Sequence, residues 1–238
     1  DFFKSYKAHY EKFWKHLAHE ENPFRERLID AEKDTKEKQE KPIRDFAKKL
    51  LGRIVFLHFL QKKGWLGCPS DTESWTGGDP RFMQSLYESF EPKALFHSKC
   101  LTRLFFETLN TKSDNDLFFI EGLTGKLNGS RVPYLNGGLF EPEKNKTTLK
   151  IDFPPDFFRE LLEFFDQYNF TIDENSPDDH EVGIDPEMLG HIFENLLEDN
   201  RDKGAFYTPK EIVQYMCKES LILYLLNTFR EQKDIEQF

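Results

Sequence analysis

The chain has 238 residues, a mass of 28.3 kDa and a formal charge of −10, which excludes a wholly basic protein that coats nucleic acid. Three scattered cysteines, with no CxxC pair, exclude a disulfide scaffold or a zinc ribbon and imply reduced thiols in the cytoplasm. The longest apolar run near its end, "LILYLL", is too short to span a bilayer, so no membrane is expected.

The charge is uneven. Residues 1–110 carry 20 Lys and Arg against 17 Asp and Glu, whereas residues 111–238 carry 13 against 26. Different partners for the two halves, or a piece of a larger object, would account for the asymmetry. The opening "DFFKSYKAHYEKFW" is already in helical periodicity and has no initiator Met, so an excised fragment is expected.

Phe3, Tyr6, Tyr10, Phe13, Trp14 and Leu17 follow i, i+3, i+4 spacing and predict an amphipathic first helix, which "ENPF" breaks. The charged stretch "DAEKDTKEKQEK" reads as the solvated part of a second helix or as a mobile connection. Pro42 is expected to open the central helix, which is apolar on nearly every face in its second half and stops at Gly64. Asp79 and Pro80 form a cap and first position for a helix reaching about Phe90, and another helix is expected over Phe96–Leu109. Residues 111–153, rich in Gly, Asn and Pro, predict an irregular insert with two or three short strands. Pro154 and Pro155 start a further helix, and an acidic loop follows. Asp185-Pro186 starts another helix, with Met188, Leu189, Ile192, Phe193, Leu196 and Leu197 on one stripe. A last helix is expected to begin at Pro209. The 25 phenylalanines imply an aromatic core.

Few chemical signatures stand out. "GLTGKLNGS" fails as a phosphate loop because Ile120 stands where the first glycine is required. Asp178, Asp179, His180 and Glu181 could ligate a hard cation, but the lysine a metal-dependent nuclease needs is replaced by Gly183, so no metal site is assigned. His58 and His191 lie in apolar helical stretches and read as core or helix-face residues. Between Lys33 and Lys63 stand ten basic against four acidic residues. This segment is either a solvated helix face or a contact to the DNA backbone through Arg44, Lys48 and Lys49.

"GAFYTPKEIVQYM" carries more information. Thr208 can cap a helix whose first position is Pro209, and Glu211 completes a capping box. The unpaired N–H groups of such a helix start suit a carboxylate or phosphate, with Phe206 and Tyr207 as an apolar wall. Physics alone leaves open a ligand site or an ordinary capped helix.

"RDKGAFYTPKEIVQYM" resembles motif X of DNA N6-adenine methyltransferases, the segment just ahead of the cofactor-binding sheet. "LGRIVFLHFLQKKGWL", "VPYLNGGLFE", "YNFTIDE" and "IDPEMLGHIFENLLEDNRDKGAFYTP" resemble the same group in the same order, the bacterial type IIG restriction-modification enzymes. The resemblance runs from about residue 40 almost to the end. It implies a mainly α multi-helix connector over residues 1–203, containing the irregular insert, and the start of a Rossmann-like methyltransferase domain over residues 204–238. It implies S-adenosylmethionine as methyl donor, held in part by Gly204, Phe206, Tyr207 and Thr208, and double-stranded DNA as substrate. The glycine-bearing cofactor loop, the Asn-Pro-Pro-aromatic catalytic element and the upstream nuclease of that family are all missing from these residues. The fragment is therefore expected to hold no catalytic residue and to be inert, with nuclease and methyltransferase parts of the same chain as its partners. A nuclease-free phage-defence methyltransferase and a non-enzymatic helical interaction module are the alternatives. Ile212, Val213, Met216, Leu221, Ile222, Leu225 and Leu226 give the last helix a wide apolar face, through which the fragment could self-associate.

Overall fold

A computed structural model describes residues 2–135, 138–170, 183–184, 190, 208 and 210–228. The chain divides into two compact units, Asp1–Asp185 and Pro186–Phe238. It is mainly α, as expected.

In the first unit, α1 (Phe2–Ala18), the short α2 (Arg25–Leu28), α3 (Lys36–Lys62), α4 (Phe82–Ser89) and α5 (Pro155–Phe165) surround an aromatic core. The α1 stripe buries Phe2, Tyr6, Tyr10, Phe13 and Leu17. It meets the stripe of α5, which buries Phe157, Phe158, Leu161, Leu162, Phe164 and Phe165. Phe13 lies 4.8, 5.2 and 5.3 Å from the rings of Phe153, Phe157 and Phe158, and Phe2 stacks on Phe164 at 5.2 Å. These offset and edge-on contacts suit aromatic quadrupoles. At the outer edge of the seam Lys12 bridges Asp156 at 3.1 Å and Glu160 at 2.7 Å.

The central helix starts earlier than Pro42. Thr35 sits in extended conformation and accepts a hydrogen bond from the Lys38 N–H, so Thr35 is the N-cap and Pro42 lies inside α3. The proline side chain is exposed, at a position where the donor it withholds from the Lys38 carbonyl costs less than it would in the core. The end of α3 matches expectation. Gly64 is left-handed at φ +72°, the Gly64 N–H bonds the Gln61 carbonyl, and the Trp65 N–H bonds the Leu60 carbonyl. That pair of bonds is the Schellman closure.

The helix expected over 96–109 is present as two wide, π-helical runs, Phe96–Leu101 and Arg103–Leu109. In the insert, β1 (Leu117–Phe118) pairs antiparallel with β2 (Ser130–Arg131). Arg131 also bridges to Cys68 through N–H to carbonyl bonds of 3.0 and 2.8 Å, so the insert is stitched to the loop after α3. The Arg131 guanidinium lies 4.2 Å from the Trp75 ring and donates to the Thr72 carbonyl. Beyond α5, β3 (Asn169–Phe170) pairs in parallel with β4 (Gly183–Ile184). The acidic loop and the 186–197 helix of the sequence reading lie outside the described residues, apart from Ile184 and its neighbours in β4 and Gly190.

In the second unit, α6 (Lys210–Thr228) lies within the last helix expected from Pro209, a residue outside the described ones. Ile212, Met216, Leu221, Leu223, Tyr224 and Leu226 are all exposed. From Leu221 to Leu226 apolar residues occupy every side of the helix, a pattern that belongs to a helix surrounded by protein.

Candidate functional site

The residues assigned to the motif X turn are only partly described. Gly204, Phe206 and Tyr207 lie outside the described residues; Thr208 is exposed, two residues ahead of α6. The first turn of α6 carries Glu211.

The three basic candidates of α3 separate. Arg44 is buried and donates to the Glu37 carbonyl at 2.7 Å, with its guanidinium 5.8 Å from the Trp14 ring. The Lys48 side chain is only 10% exposed and pairs with Asp45 at 3.7 Å. Lys49 is exposed. Lys48 and Lys49 differ by one residue and hence by about 100° around the helix, which puts them in different surroundings.

Two polar constellations emerge that the sequence reading left aside. The first is centred on Arg53, which is 1% exposed inside the most apolar part of α3. Its Nε and Nη2 donate to the carbonyls of Leu139 and Glu141, both at 2.7 Å. Nη2 also lies 3.0 Å from the Glu143 carboxylate. That contact is ionic and poorly aligned, since neither Glu143 oxygen has a hydrogen-bond partner of good geometry among the described residues. The rings of Phe105 and Phe106 flank the guanidinium at 5.7 and 5.0 Å. Burial lowers the Arg53 pKa and the Glu143 charge opposes the drop. An arginine among "LLGRIVFLHFL" is the visible signal, because a charge within an all-round apolar helix must have partners supplied by another segment.

The second is a cavity of about 370 Å³ at the C-terminal end of α3. His58 and Gln61 of α3 line it together with Phe165, Tyr168 and Phe170, and Lys62, Pro80, Arg81, Asp166 and Asn169 make up the rest. Arg81 is tied to Asp166 at 2.8 Å. His58 is a core residue, as expected, and packs in tilted contact with Phe165 and Phe170 at 4.7 and 5.1 Å. Burial pushes its pKa down to about 4, so the ring is neutral at physiological pH. Among the described residues no group of three or more His, Cys, Asp or Glu could hold a metal ion, and no helix is long and apolar enough to cross a membrane.

These features describe a helical body with an arginine-fastened insert and, in the second unit, an exposed apolar helix. In sequence the chain is similar to a protein of Methanocaldococcus jannaschii described as a type II restriction enzyme and methyltransferase, with 29% identity over 215 residues. The similarity covers 85% of this chain and 16% of that protein, so the chain corresponds to one segment of it. No protein-family model matches the chain. No solved structure matches it either.

Proposed function

We propose that the chain is the helical connector of a type IIG restriction-modification enzyme, and that α6 opens its methyltransferase domain. The complete enzyme would transfer a methyl group from S-adenosylmethionine to adenine N6 in double-stranded DNA in the cytoplasm, with cleavage by a nuclease part of the same polypeptide. The target base must leave the duplex to be reached. The observation that carries this reading is the 29% identity spread over 85% of the chain to a restriction enzyme and methyltransferase. The exposed, all-round apolar second half of α6 supports it, since such a helix suits burial against further protein, whether a methyltransferase sheet or a second copy.

The cofactor role assigned to Gly204, Phe206, Tyr207 and Thr208 rests on the motif. The described part of that turn contributes the exposed Thr208 ahead of a helix of 19 residues, whose first N–H groups attract a carboxylate such as that of the methionine end. Of the basic candidates, Lys49 is the one presented to a phosphate, while Arg44 and Lys48 act in holding α3. The segment itself would be catalytically inert.

The test is expression of the full-length protein in a host without adenine methylation, with mass spectrometry of its DNA. N6-methyladenine should accumulate. Thr208→Ala should weaken cofactor binding by about 1 kcal/mol through lost capping and positioning. Folded full-length protein that leaves the DNA unmethylated and binds no S-adenosylmethionine would sink the reading.

A further inference from the structure

The cavity at the end of α3 holds two buried polar side chains whose hydrogen-bonding capacity is half used. His58 is 2% exposed and Gln61 is 6% exposed, and they stand one turn apart on the same side of the helix. The Nδ1 of His58 is 2.8 Å from the Ile54 carbonyl. A carbonyl only accepts, so Nδ1 carries the proton and Nε2 is left as an acceptor. The Oε1 of Gln61 accepts the Met83 N–H at 2.9 Å, which fixes the amide and leaves its NH₂ as a donor. Neither leftover nitrogen has a protein partner among the described residues, and both residues line the cavity. The cavity thus offers an acceptor beside a donor, both on one rigid helix.

An edge of that kind is complementary to a donor beside an acceptor on a flat ligand. Every nucleobase carries such an edge. The aromatic side chains of Phe165, Tyr168 and Phe170 line the same space and suit the faces of a ring. The volume of about 370 Å³ falls in the range of small-ligand sites. Charge supplies the remainder. Arg81 is offset by Asp166 at 2.8 Å, while Lys62 is exposed at the rim, so the lining carries a net positive charge suited to one phosphate.

We infer that this cavity binds a mononucleotide, its base edge read by His58 Nε2 and the Gln61 amide and its phosphate held by Lys62 with Arg81. The site is separate from the motif X turn, and the inference stands whether or not the chain belongs to an N6-adenine methyltransferase.

Calorimetry of the 238-residue chain with AMP at neutral pH tests it. Binding should be one-to-one with a submillimolar Kd. Gln61→Glu keeps the acceptor for the Met83 N–H and removes the donor, and should weaken AMP roughly ten-fold. Lys62→Ala, at an exposed position, should weaken AMP several-fold and leave adenosine unchanged. If Gln61→Glu does not fold, the AMP-against-adenosine split of Lys62→Ala decides. No binding at millimolar AMP, binding indifferent to the substitutions, or equal affinity for inorganic phosphate would each overturn the inference. Failure here alongside N6-methyladenine in the DNA would remove the cavity's role and leave the connector reading intact.

Discussion

Replacing Arg53 by methionine keeps the length of the side chain and removes the hydrogen bonds and ion pair by which it holds the insert to α3. Two carbonyls, Leu139 and Glu141, lose donors at 2.7 Å, and Glu143, only 12% exposed, loses its counter-ion. Hydrogen bonds to a charged group contribute about 1.5–3 kcal/mol each, and breaking a buried pair from one side costs about 3–5 kcal/mol in total. The methionine regains part of this through burial. A loss of about 3 kcal/mol is therefore expected, read as a lower urea midpoint with an unchanged slope. Hydrogen exchange should show the loss concentrated at residues 138–143 and the π-helical run they cover. Glu143→Gln added to Arg53→Met should recover about 1 kcal/mol, because it removes the orphaned charge. A single mutant within 0.5 kcal/mol of the parent, or a double mutant worse than the single, would refute the view that the arginine is bound to these groups.

Stability should also depend on pH in one window. His58 and His97 are both buried, with pKa values pushed down to about 4 by desolvation, and His97 is held at 2.6 Å from the Ile151 carbonyl. Unfolded histidine takes up its proton near pH 6.5, so stability should be level above that, fall between pH 6.5 and 4 by at most about 3 kcal/mol per histidine, and then lose this slope; a flat urea midpoint from pH 6.5 to 5 would contradict it. A third expectation concerns Gly122, where a Cβ would stand 2.2 Å from the Glu91 carbonyl oxygen at φ +89°. Gly122→Ala should cost about 2–4 kcal/mol, against about 1 kcal/mol for Gly77→Ala, which has left-handed φ but open space around it; equal urea midpoints for the two would show that the close approach is not rigid.

The parts of the fold legible in the sequence are those fixed by local chemistry. The α1 stripe follows from spacing, with Phe2 rather than Phe3 buried, the start of α5 from Pro155 and its fixed φ at a first helical position, and the end of α3 from the left-handed Gly64. The start of α3 was misplaced because two signals competed: Pro42 looks like a first position, whereas Thr35 followed by Glu37 is the cap actually used. What was illegible depends on distant partners. Arg131 meets Trp75 and Thr72 only once the insert is folded against the loop after α3. Gln61 reads as an ordinary helix-end residue until α4 brings the Met83 N–H to it. The candidate motif X turn was legible as a motif, and of its four residues only Thr208 is described.

The all-round apolar character of α3 has a structural counterpart, since α1, α4, the insert and β3 each take a share of its surface. Hydrophobic faces alone would let these neighbours slide, because burial of apolar area is not directional. The few polar side chains in the buried half of α3 remove that freedom. Arg53 binds the insert by its carbonyls, and Gln61 takes the first free N–H of α4. Each is turned to a different neighbour, and each would leave unmade hydrogen bonds if that neighbour shifted. His58 differs, because it satisfies itself within the helix through Ile54 and fastens no other element by hydrogen bonding. This buried imidazole instead lines the cavity beside Gln61, with the rings of Phe165 and Phe170 packed against it.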